Sequence, residues 1–368
     1  MPTSTSAQSK ASSVANKKRA RDLGIPLPGT PGKFNAITDV PGVVVGYATI
    51  ISEVLPARTG VTAVLTRAHD RLSEPVWAGA FVLNGNGELT GAHWIAEAGW
   101  CAGPITITNT FSLGVAHLAT AKWMTAKFRQ KFDDGDTFIL PVAAETFDGY
   151  LNDIAGFHVQ ESHVFEAIDS ARSGLLPEGN VGGGTGMVCY EFKGGTGTSS
   201  RLVKTYDGTE ITIGVLVQAN HGLRPWLKIA GRDCSGVDLG GRRHFVRERG
   251  SIIGIIATDA PLSHIQLQRL ARRAAIGIGR SGTPSGNDSG DIFLAFSTEN
   301  SFGAIPEPDR HTLQCLSNDL LDPLFMGVVE AIDEAILNAL VAAETMTGVR
   351  GNTVEAINTS AIEKMFQS

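Results

Sequence analysis

The sequence predicts an α+β fold in which layers of helices cover layers of β-sheet. Short apolar runs rich in β-branched residues occur between longer segments of helical periodicity. Their order is mixed, whereas a doubly wound fold would show strict β-α alternation. The chain has 368 residues, of which 42% are hydrophobic and 43 are glycine, so a large core and many tight turns are expected.

The N-terminal segment differs in composition from the remainder of the chain. Residues 1–33 are rich in Ser, Ala, Lys, Pro and Gly, which predicts a disordered tail before ordered structure begins near Ile37. A short basic cluster in this tail predicts a solvated arm. The cluster consists of Lys17, Lys18, Arg19 and Arg21.

The first half of the ordered chain predicts five strands and two helices. Runs bounded by Gly, Asn or Asp predict strands at residues 43–47, 60–66, 76–83, 105–108 and 137–142. Helical periodicity predicts helices over residues 112–128 and 163–173. Sheet and helix layers are therefore both expected within the first 175 residues.

The second half continues the same mixture. Strands are predicted at residues 202–206, 210–218, 251–258 and 291–297. Ser263 is expected to cap a helix that runs to about residue 278. Two further helices are predicted over residues 319–345, where Pro323 interrupts the pattern at most mildly, and 353–366.

Two Gly-rich segments, residues 179–186 and 194–200, match no nucleotide-binding motif. Neither contains the Gly-Lys-Ser/Thr of a P-loop, and neither fits the dinucleotide fingerprint after a strand. Because glycine allows backbones to approach closely, we expect these segments to pack tightly or to line a pocket.

Charge and composition narrow the class of protein. A net charge of −6 argues against nucleic acid as the main partner. The sequence contains no signal-peptide core and no apolar stretch of membrane-spanning length, and its four cysteines are scattered. The nine histidines show no metal-binding spacing. We therefore predict a cytoplasmic protein with no metal or other cofactor and no membrane or nucleic-acid partner.

The Gly250-Ser251 dipeptide is the main candidate for chemistry. It is the only Gly-Ser pair in the chain, and it places a hydroxyl at the first residue of an apolar, β-branched strand. Cleavage before Ser251 would put a nucleophile and a free amine on one residue, which is an activated pair. By itself the dipeptide is more typical of a simple turn before a strand.

Polar residues at other strand ends are candidates to assist Ser251. Ser289 and Asp291 are two residues apart, so in a strand they would project to one face. Asn220 follows an apolar strand and could donate a hydrogen bond to an oxyanion. A turn with a strand-edge acid, and a turn Asn, are the simpler structural explanations of these residues.

Two more strand-end segments could bind a substrate. Glu145 follows a predicted strand and could hold an ammonium group, although a Glu at a helix N-terminus would have the same pattern. Asn86 lies in a Gly- and Asn-rich segment that is typical of a turn and could also line a pocket.

Seven short segments in this order resemble the L-aminopeptidase/D-esterase family of self-processing N-terminal-nucleophile hydrolases, which includes the β-peptidyl aminopeptidases. The segments are residues 84–91, 145–149, 182–187, 194–201, 250–251, 289–291 and 348–355, and the likeness extends from about Ile37 to Ala361. The resemblance implies a four-layer α/β-β/α sandwich, similar also to the ornithine acetyltransferases. It further implies one catalytic domain cut into an α chain, residues 34–250, and a β chain, residues 251–368.

The resemblance also implies a role for each candidate. Ser251 would be the nucleophile, Asn220 would form the oxyanion hole, and Ser289 with Asp291 would orient the reaction centre. The substrate-binding residues implied are Glu145, which would hold the substrate amino group, Phe147 and Asn86. Some family members carry Tyr in place of Phe147 and Glu in place of Asp291, so we expect differences in substrate preference.

The implied activity is removal of N-terminal residues from short peptides, amides or esters through an acyl-enzyme. Small L-, D- or β-amino acids would be released, and αβ heterodimers would associate into a homo-oligomer. We expect residues 231–250 to form a mobile, strand-free flank that withdraws after cleavage. Two alternatives stay open: acyl transfer of the ornithine acetyltransferase type, and a binding scaffold that keeps the fold and is never cleaved.

Overall fold

The protein is a four-layer sandwich. A computed structural model describes residues 17–135, 137–300 and 312–367. A pair of helices covers a four-stranded sheet, which packs on a six-stranded sheet that a second pair of helices covers from the other side. The predicted α+β class and its α/β-β/α layering are therefore confirmed.

Sixteen strands and seven α-helices occur in the described residues. The strands are β1 (Val44–Ser52), β2 (Ala57–Leu65), β3 (Val76–Gly85), β4 (Trp100–Cys101), β5 (Pro104–Asn109), β6 (Val142–Thr146), β7 (Val188–Cys189), β8 (Phe192–Lys193), β9 (Gly195–Lys204), β10 (Glu210–Asn220), β11 (Lys228–Ile229), β12 (Arg232–Asp233), β13 (Ser251–Thr258), β14 (Gly290–Ser297), β15 (Met346–Thr347) and β16 (Thr353–Val354). The helices are α1 (Ala92–Ala98), α2 (Leu113–Lys127), α3 (Arg129–Asp133), α4 (Glu161–Asp169), α5 (His264–Arg280), α6 (Asp322–Ala342) and α7 (Thr359–Gln367).

The two large sheets are both mixed. The first has the strand order β1-β2-β5-β6, with β5 and β6 parallel and the other pairs antiparallel. The second has the order β4-β3-β14-β13-β10-β9, with β13 and β14 as its parallel pair. Because β10 and β13 are antiparallel, the end of β10 lies beside the start of β13.

Hydrophobic residues fill all three spaces between the layers. Val64 and Ile107 of the first sheet meet Ile253 and Leu294 of the second sheet in the central core. Helices α5 and α6 cover the outer face of the second sheet, and α2 and α4 cover that of the first. Alternation along β13 therefore serves two cores, since Ile253 and Ile255 face the other sheet while Ile252 and Ile256 face the helices.

Both Gly-rich segments pack closely, as predicted. A Cβ atom on Gly183 would lie 2.1 Å from Oε1 of Gln218 between the sheets. A Cβ atom on Gly197 would lie 2.0 Å from the carbonyl oxygen of Ala335, where α6 crosses β9. The segment 194–200 thus forms most of β9, a strand that the sequence placed at residues 202–206.

The prediction of a disordered tail is wrong for residues 17–33. Arg19 forms an ion pair with Glu178 at 2.7 Å, and Arg21 forms one with Glu334 at 2.8 Å. Leu23 is buried in the core beneath α6. These residues lose backbone entropy on folding, but burial of apolar side chains and ion pairs with buried carboxylates stabilise the segment. Residues 1–16 lie outside the described residues.

Other elements also differ from their predictions, among them the last helix, which begins only at Thr359 because residues 353–354 form β16. The strand predicted at 137–142 begins only at Val142, and the preceding apolar side chains of Phe138 and Leu140 are largely exposed. Pro323 lies in the first turn of α6, where its missing amide hydrogen has no partner to lose. The flank 231–250 is not free of strands, because it contains β12.

Candidate active site

The predicted nucleophile and its neighbours lie on three adjacent strands of the six-stranded sheet. Ser251 is the first residue of β13 and pairs with Asn220, the last residue of β10. On the other side, Ile252 pairs with Asp291 near the start of β14. The alternation of Ile253 and Ile255 extends to Ser251, so the serine faces the four-stranded sheet.

Gly250 is required by the close approach of two backbones. A Cβ atom at this position would lie 1.7 Å from the carbonyl oxygen of Asn220. The backbone of Gly250 does not adopt the left-handed conformation. Glycine is therefore needed at this position because no side chain fits between it and β10. Attack on its carbonyl group could demand further backbone freedom, which glycine also provides.

The side chain of Asn220 is held at both ends. Its Oδ1 accepts a hydrogen bond from the backbone N–H of Val188 at 2.7 Å, and its Nδ2 donates to the carbonyl oxygen of Phe147 at 3.0 Å. An amide nitrogen carries two hydrogens, so one donor remains after the contact with Phe147. The amide is thus fixed beside Ser251, and its second N–H is available as a hydrogen-bond donor.

The carboxylate of Asp291 is buried and accepts three hydrogen bonds. Oδ1 accepts from Ser289 Oγ at 2.8 Å and from the N–H of Ile252 at 3.2 Å, and Oδ2 accepts from Ser285 Oγ. Burial raises the pKa of Asp291, while the hydrogen bonds of Ser285, Ser289 and Ile252 act in the opposite direction. The predicted Ser289–Asp291 pair is therefore formed, one residue along from the nucleophile.

Glu145 reaches the same region from the four-stranded sheet. It lies in β6 and is 4% exposed. Its Oε1 accepts from the N–H of Glu88 at 3.0 Å, and its Oε2 accepts from Thr110 Oγ1. Burial raises the pKa of Glu145, and these two hydrogen bonds partly offset that effect.

A cavity of about 240 Å³, here called the small cavity, brings the predicted substrate-binding residues to the nucleophile. Its walls include Ser251, Glu145, Phe147, Asn86 and Arg249. Phe147 keeps 45% of its surface exposed. The amide of Asn86 donates to the carbonyl oxygen of Asp288 at 2.7 Å and so connects its turn to the loop before β14.

The end of the flank before the nucleophile is anchored by a residue that sequence reasoning did not single out. The buried Glu248 carboxylate accepts from the N–H of Gly222 at 2.5 Å and from the N–H of Gly286 at 2.7 Å. Glu248 therefore connects the turn after β10 with the loop that carries Ser285. Its position three residues before Ser251 was the only available sequence signal.

Three other site residues were also missed. Ser285 has a positive φ of 62° and lies in a segment rich in Gly, Pro, Asn and Ser, which indicates a loop but no particular role. Thr110 directly follows β5, and nothing in its sequence context indicated a role at the site. Arg249 was assigned only to the mobile flank, although it lines the cavities on both sides of Gly250.

The described residues contain neither a candidate metal cluster nor a candidate membrane-spanning helix. Between residues 17 and 367, apart from 136 and 301–311, no cluster of three His, Cys, Asp or Glu side chains is placed to hold a metal ion. None of the helices in the same ranges has both the length and the apolar character needed to cross a membrane.

Comparisons with known proteins agree with the geometry. The profile of peptidase family S58 matches residues 35–354. The β-peptidyl aminopeptidase BapA of Sphingosinicella microcystinivorans is 46% identical over 93% of this chain and 90% of its own length.

Two solved structures share the whole architecture. The L-aminopeptidase D-Ala-esterase/amidase of Ochrobactrum anthropi, a prototype of the serine aminopeptidases with a variant of the Ntn hydrolase fold, is 46% identical, with a TM-score of 0.89. The match covers 95% of this chain and 99% of that one. A β-aminopeptidase of Burkholderia sp. is 44% identical, with a TM-score of 0.87 and coverage of 95% and 98%.

Proposed function

The chain belongs to peptidase family S58 and is a serine aminopeptidase with an Ntn hydrolase fold, and we propose that it becomes active by cutting its own backbone between Gly250 and Ser251. Its substrates are peptides or amides, and transfer of the ornithine acetyltransferase type is not favoured by these relatives. The observation that supports self-cleavage is the register that places Ser251, Asn220 and Asp291 side by side.

Self-cleavage begins with attack of Ser251 Oγ on the carbonyl carbon of Gly250. The C–N bond breaks as an ester forms, and the proton of the hydroxyl ends on the released α-amine of Ser251. Water then hydrolyses the ester, which leaves a carboxylate on Gly250 and restores the hydroxyl. Asn220 Nδ2 lies beside the reacting bond and supplies a hydrogen bond to the oxyanion.

The same hydroxyl then attacks the substrate. The free α-amine of Ser251 accepts the proton of Oγ and returns it to the leaving amine, and water hydrolyses the acyl-enzyme. Ser289 and Asp291 orient this amine, because Asp291 already binds the adjacent N–H of Ile252. The buried carboxylate of Glu145 holds the ammonium group of the substrate.

The small cavity supports the proposed substrate class. Glu145 and Ser251 line the same cavity of about 240 Å³, which suits one small N-terminal residue with a free amine. We expect small L-, D- or β-amino acids to be released from short peptides, amides or esters. Assembly of αβ heterodimers into a homo-oligomer and a cytoplasmic location stay predictions.

The proposal is tested by the intact mass of the purified protein. Wild-type protein should yield two fragments, residues 1–250 and 251–368, and should release p-nitroaniline from alanine p-nitroanilide. Ser251→Ala should remain one chain without activity. Ser251→Cys keeps a nucleophile of similar size and should still cut itself, although more slowly.

A wild-type chain that stays at full length after prolonged incubation would contradict self-cleavage. Equal activity of the uncut Ser251→Ala protein would show that the nucleophile lies elsewhere. Acetyl transfer to ornithine at a rate above that of hydrolysis would instead support the transferase alternative.

A further inference from the structure

A second cavity lies on the other side of the Gly250–Ser251 junction. Its volume is about 430 Å³, against about 240 Å³ for the small cavity, and relative to that cavity it is here called the large cavity. Asn220 and Gly250 form its inner wall, and it shares Phe147 and Arg249 with the small cavity. The two cavities therefore flank the reacting bond, and only the small one contains Glu145.

We infer that the large cavity binds the leaving part of the substrate, and that it favours a leaving residue with an aromatic side chain and a free carboxylate. This inference rests on the proposed function. If Glu145 holds the ammonium group in the small cavity, the scissile carbonyl lies at Ser251 and Asn220. The remainder of the peptide then extends past Phe147 into the large cavity.

Aromatic rings form the outer wall of the large cavity. Tyr150 and Phe245 meet edge to face, with ring centroids 5.0 Å apart and an angle of 75° between their planes. The half-exposed ring of Phe147 lies on the same cavity. An aromatic side chain of the substrate would bury apolar surface here and could add a further edge-to-face contact.

This wall is held independently of the bond that is cut. The buried carboxylate of Glu191 accepts hydrogen bonds from the backbone N–H groups of His244 at 2.6 Å and Phe245 at 2.8 Å. The hydroxyl of Tyr150 lies 3.2 Å from Nδ1 of His244. None of these contacts involves the Gly250–Ser251 bond, so Phe245 stays anchored when that bond is cut.

Arg350 provides a positive charge at the mouth of the large cavity. Its side chain is exposed, and its backbone is held at a φ of 57°, a conformation that non-glycine residues rarely adopt. No ion-pair partner of Arg350 occurs in the described ranges. Arginine is well suited to bind a carboxylate, so Arg350 can recognise the free C-terminus of a dipeptide.

The test uses substrates that share one N-terminal residue and differ only after the scissile bond. The set consists of Ala-Phe, Ala-Phe amide, Ala-Gly and alanine p-nitroanilide. For the wild-type enzyme we expect kcat/KM for Ala-Phe to exceed that for Ala-Gly by about tenfold. We expect it to exceed that for Ala-Phe amide by about fivefold, since the amide lacks the charge.

Two variants separate the two contributions, after intact mass has confirmed that each is cut. Phe245→Ala should reduce the preference for Ala-Phe over Ala-Gly to about twofold, and Phe245→Leu should restore part of it. Arg350→Gln should remove the preference for Ala-Phe over its amide. Arg242→Gln, which changes an exposed arginine outside the large cavity, should leave both ratios as in wild type.

The outcomes distinguish this inference from the proposed function. If alanine p-nitroanilide is hydrolysed but the three dipeptide substrates are cut with equal kcat/KM or not at all, the large cavity has no role in selection and the inference is overturned. If the L-alanine set is not hydrolysed, the same set is made with D-alanine and with β-alanine at the N-terminus. If none of the three sets is hydrolysed, the proposed function fails and the inference fails with it. Ratios that respond to Arg350→Gln and Arg242→Gln equally would also overturn it.

Discussion

The two sheets of the sandwich contribute different kinds of residues to the site. The six-stranded sheet supplies Ser251, Asn220 and Asp291 from three hydrogen-bonded neighbours, so strand register sets their spacing. The four-stranded sheet supplies Glu145 from β6, and Phe147 directly follows that strand; both line the small cavity with Ser251 across the interface between the sheets. Backbone register thus sets the spacing of the residues proposed to make and break bonds, whereas the position of the residues proposed to recognise the substrate depends on how the two sheets pack.

The largest effect is expected from a substitution of Asn220, on the six-stranded sheet. In Asn220→Asp, the carboxylate can still accept the hydrogen bond of Val188 but has no hydrogen to donate to an oxyanion. We expect kcat to fall about 10²–10³-fold, because one oxyanion donor is lost. Hydrolysis of alanine p-nitroanilide gives kcat, and intact mass should show slower self-cleavage. If Asn220→Asp cuts itself at the normal rate, Asn220 does not assist Ser251 in self-cleavage.

The next largest effect is expected at Glu145, on the other sheet. Glu145→Gln should cut itself normally, because the Gly250–Ser251 bond carries no ammonium group. Its kcat/KM for alanine p-nitroanilide should fall about 100-fold, since a charged hydrogen bond to the substrate is lost. Glu97→Gln removes an exposed carboxylate that lines neither cavity and serves as the control. If Glu145→Gln fails to cut itself, Glu145 also takes part in self-cleavage, and the proposed division of roles between the two sheets is wrong.

The same carboxylate predicts a pH dependence. Burial raises the pKa of Glu145, so the group is protonated at pH values where an exposed Glu is already ionised. Only the ionised form attracts the substrate ammonium. The kcat/KM profile of the wild type should therefore fall as the pH drops through this raised pKa. Glu145→Gln should lack that decline, and an unchanged acid limb would assign it to another group.

A smaller effect is expected at Ser285, which holds Asp291 from the preceding loop. Ser285→Gly removes the hydroxyl while glycine accepts the positive φ readily, so folding should be preserved. We expect kcat to fall about tenfold, because one hydrogen bond to a charged group is lost.

Because the hydrogen bond of Ser285 lowers the pKa of Asp291, its loss should move that pKa upward. The acid limb of kcat should then shift to higher pH. A merely structural role would change the free energy of unfolding and leave the pH profile in place. Chemical denaturation of the same variant separates the two outcomes.

The smallest effect is expected at Phe147. Phe147→Tyr adds a hydroxyl to a ring that is 45% exposed, so the free energy of unfolding should change by no more than about 0.5 kcal/mol. We expect kcat to rise by about threefold, since a phenol next to the reaction centre can donate a hydrogen bond. Self-cleavage should be unaffected, and a loss of cleavage would place Phe147 among the bond-making groups.

The local sequence pattern was sufficient to predict those features whose position depends on side-chain alternation or on the end of a strand. The strand 251–258 was predicted with its true bounds, because its β-branched residues are buried on both faces. Ser289 and Asp291 are in contact, as their spacing predicted, although Ser289 lies one residue before β14 and reaches Asp291 through a hydrogen bond and not through strand alternation. The strand that carries Glu145 was displaced, because Ala143 and Ala144 have little strand propensity and Phe138 is apolar yet exposed.

The sequence by itself determined the layered α+β fold, the Gly250-Ser251 junction and the set of polar residues at strand ends, because these depend on periodicity and on neighbours along the chain. Only the tertiary structure decided that Glu145 lies in a cavity with Ser251, that Ser285 binds Asp291, and that residues 17–33 are packed. Each of these contacts depends on packing between elements whose distance apart no local pattern encodes. The proposed recognition of the leaving group at the large cavity likewise depends on packing between elements that are distant in sequence.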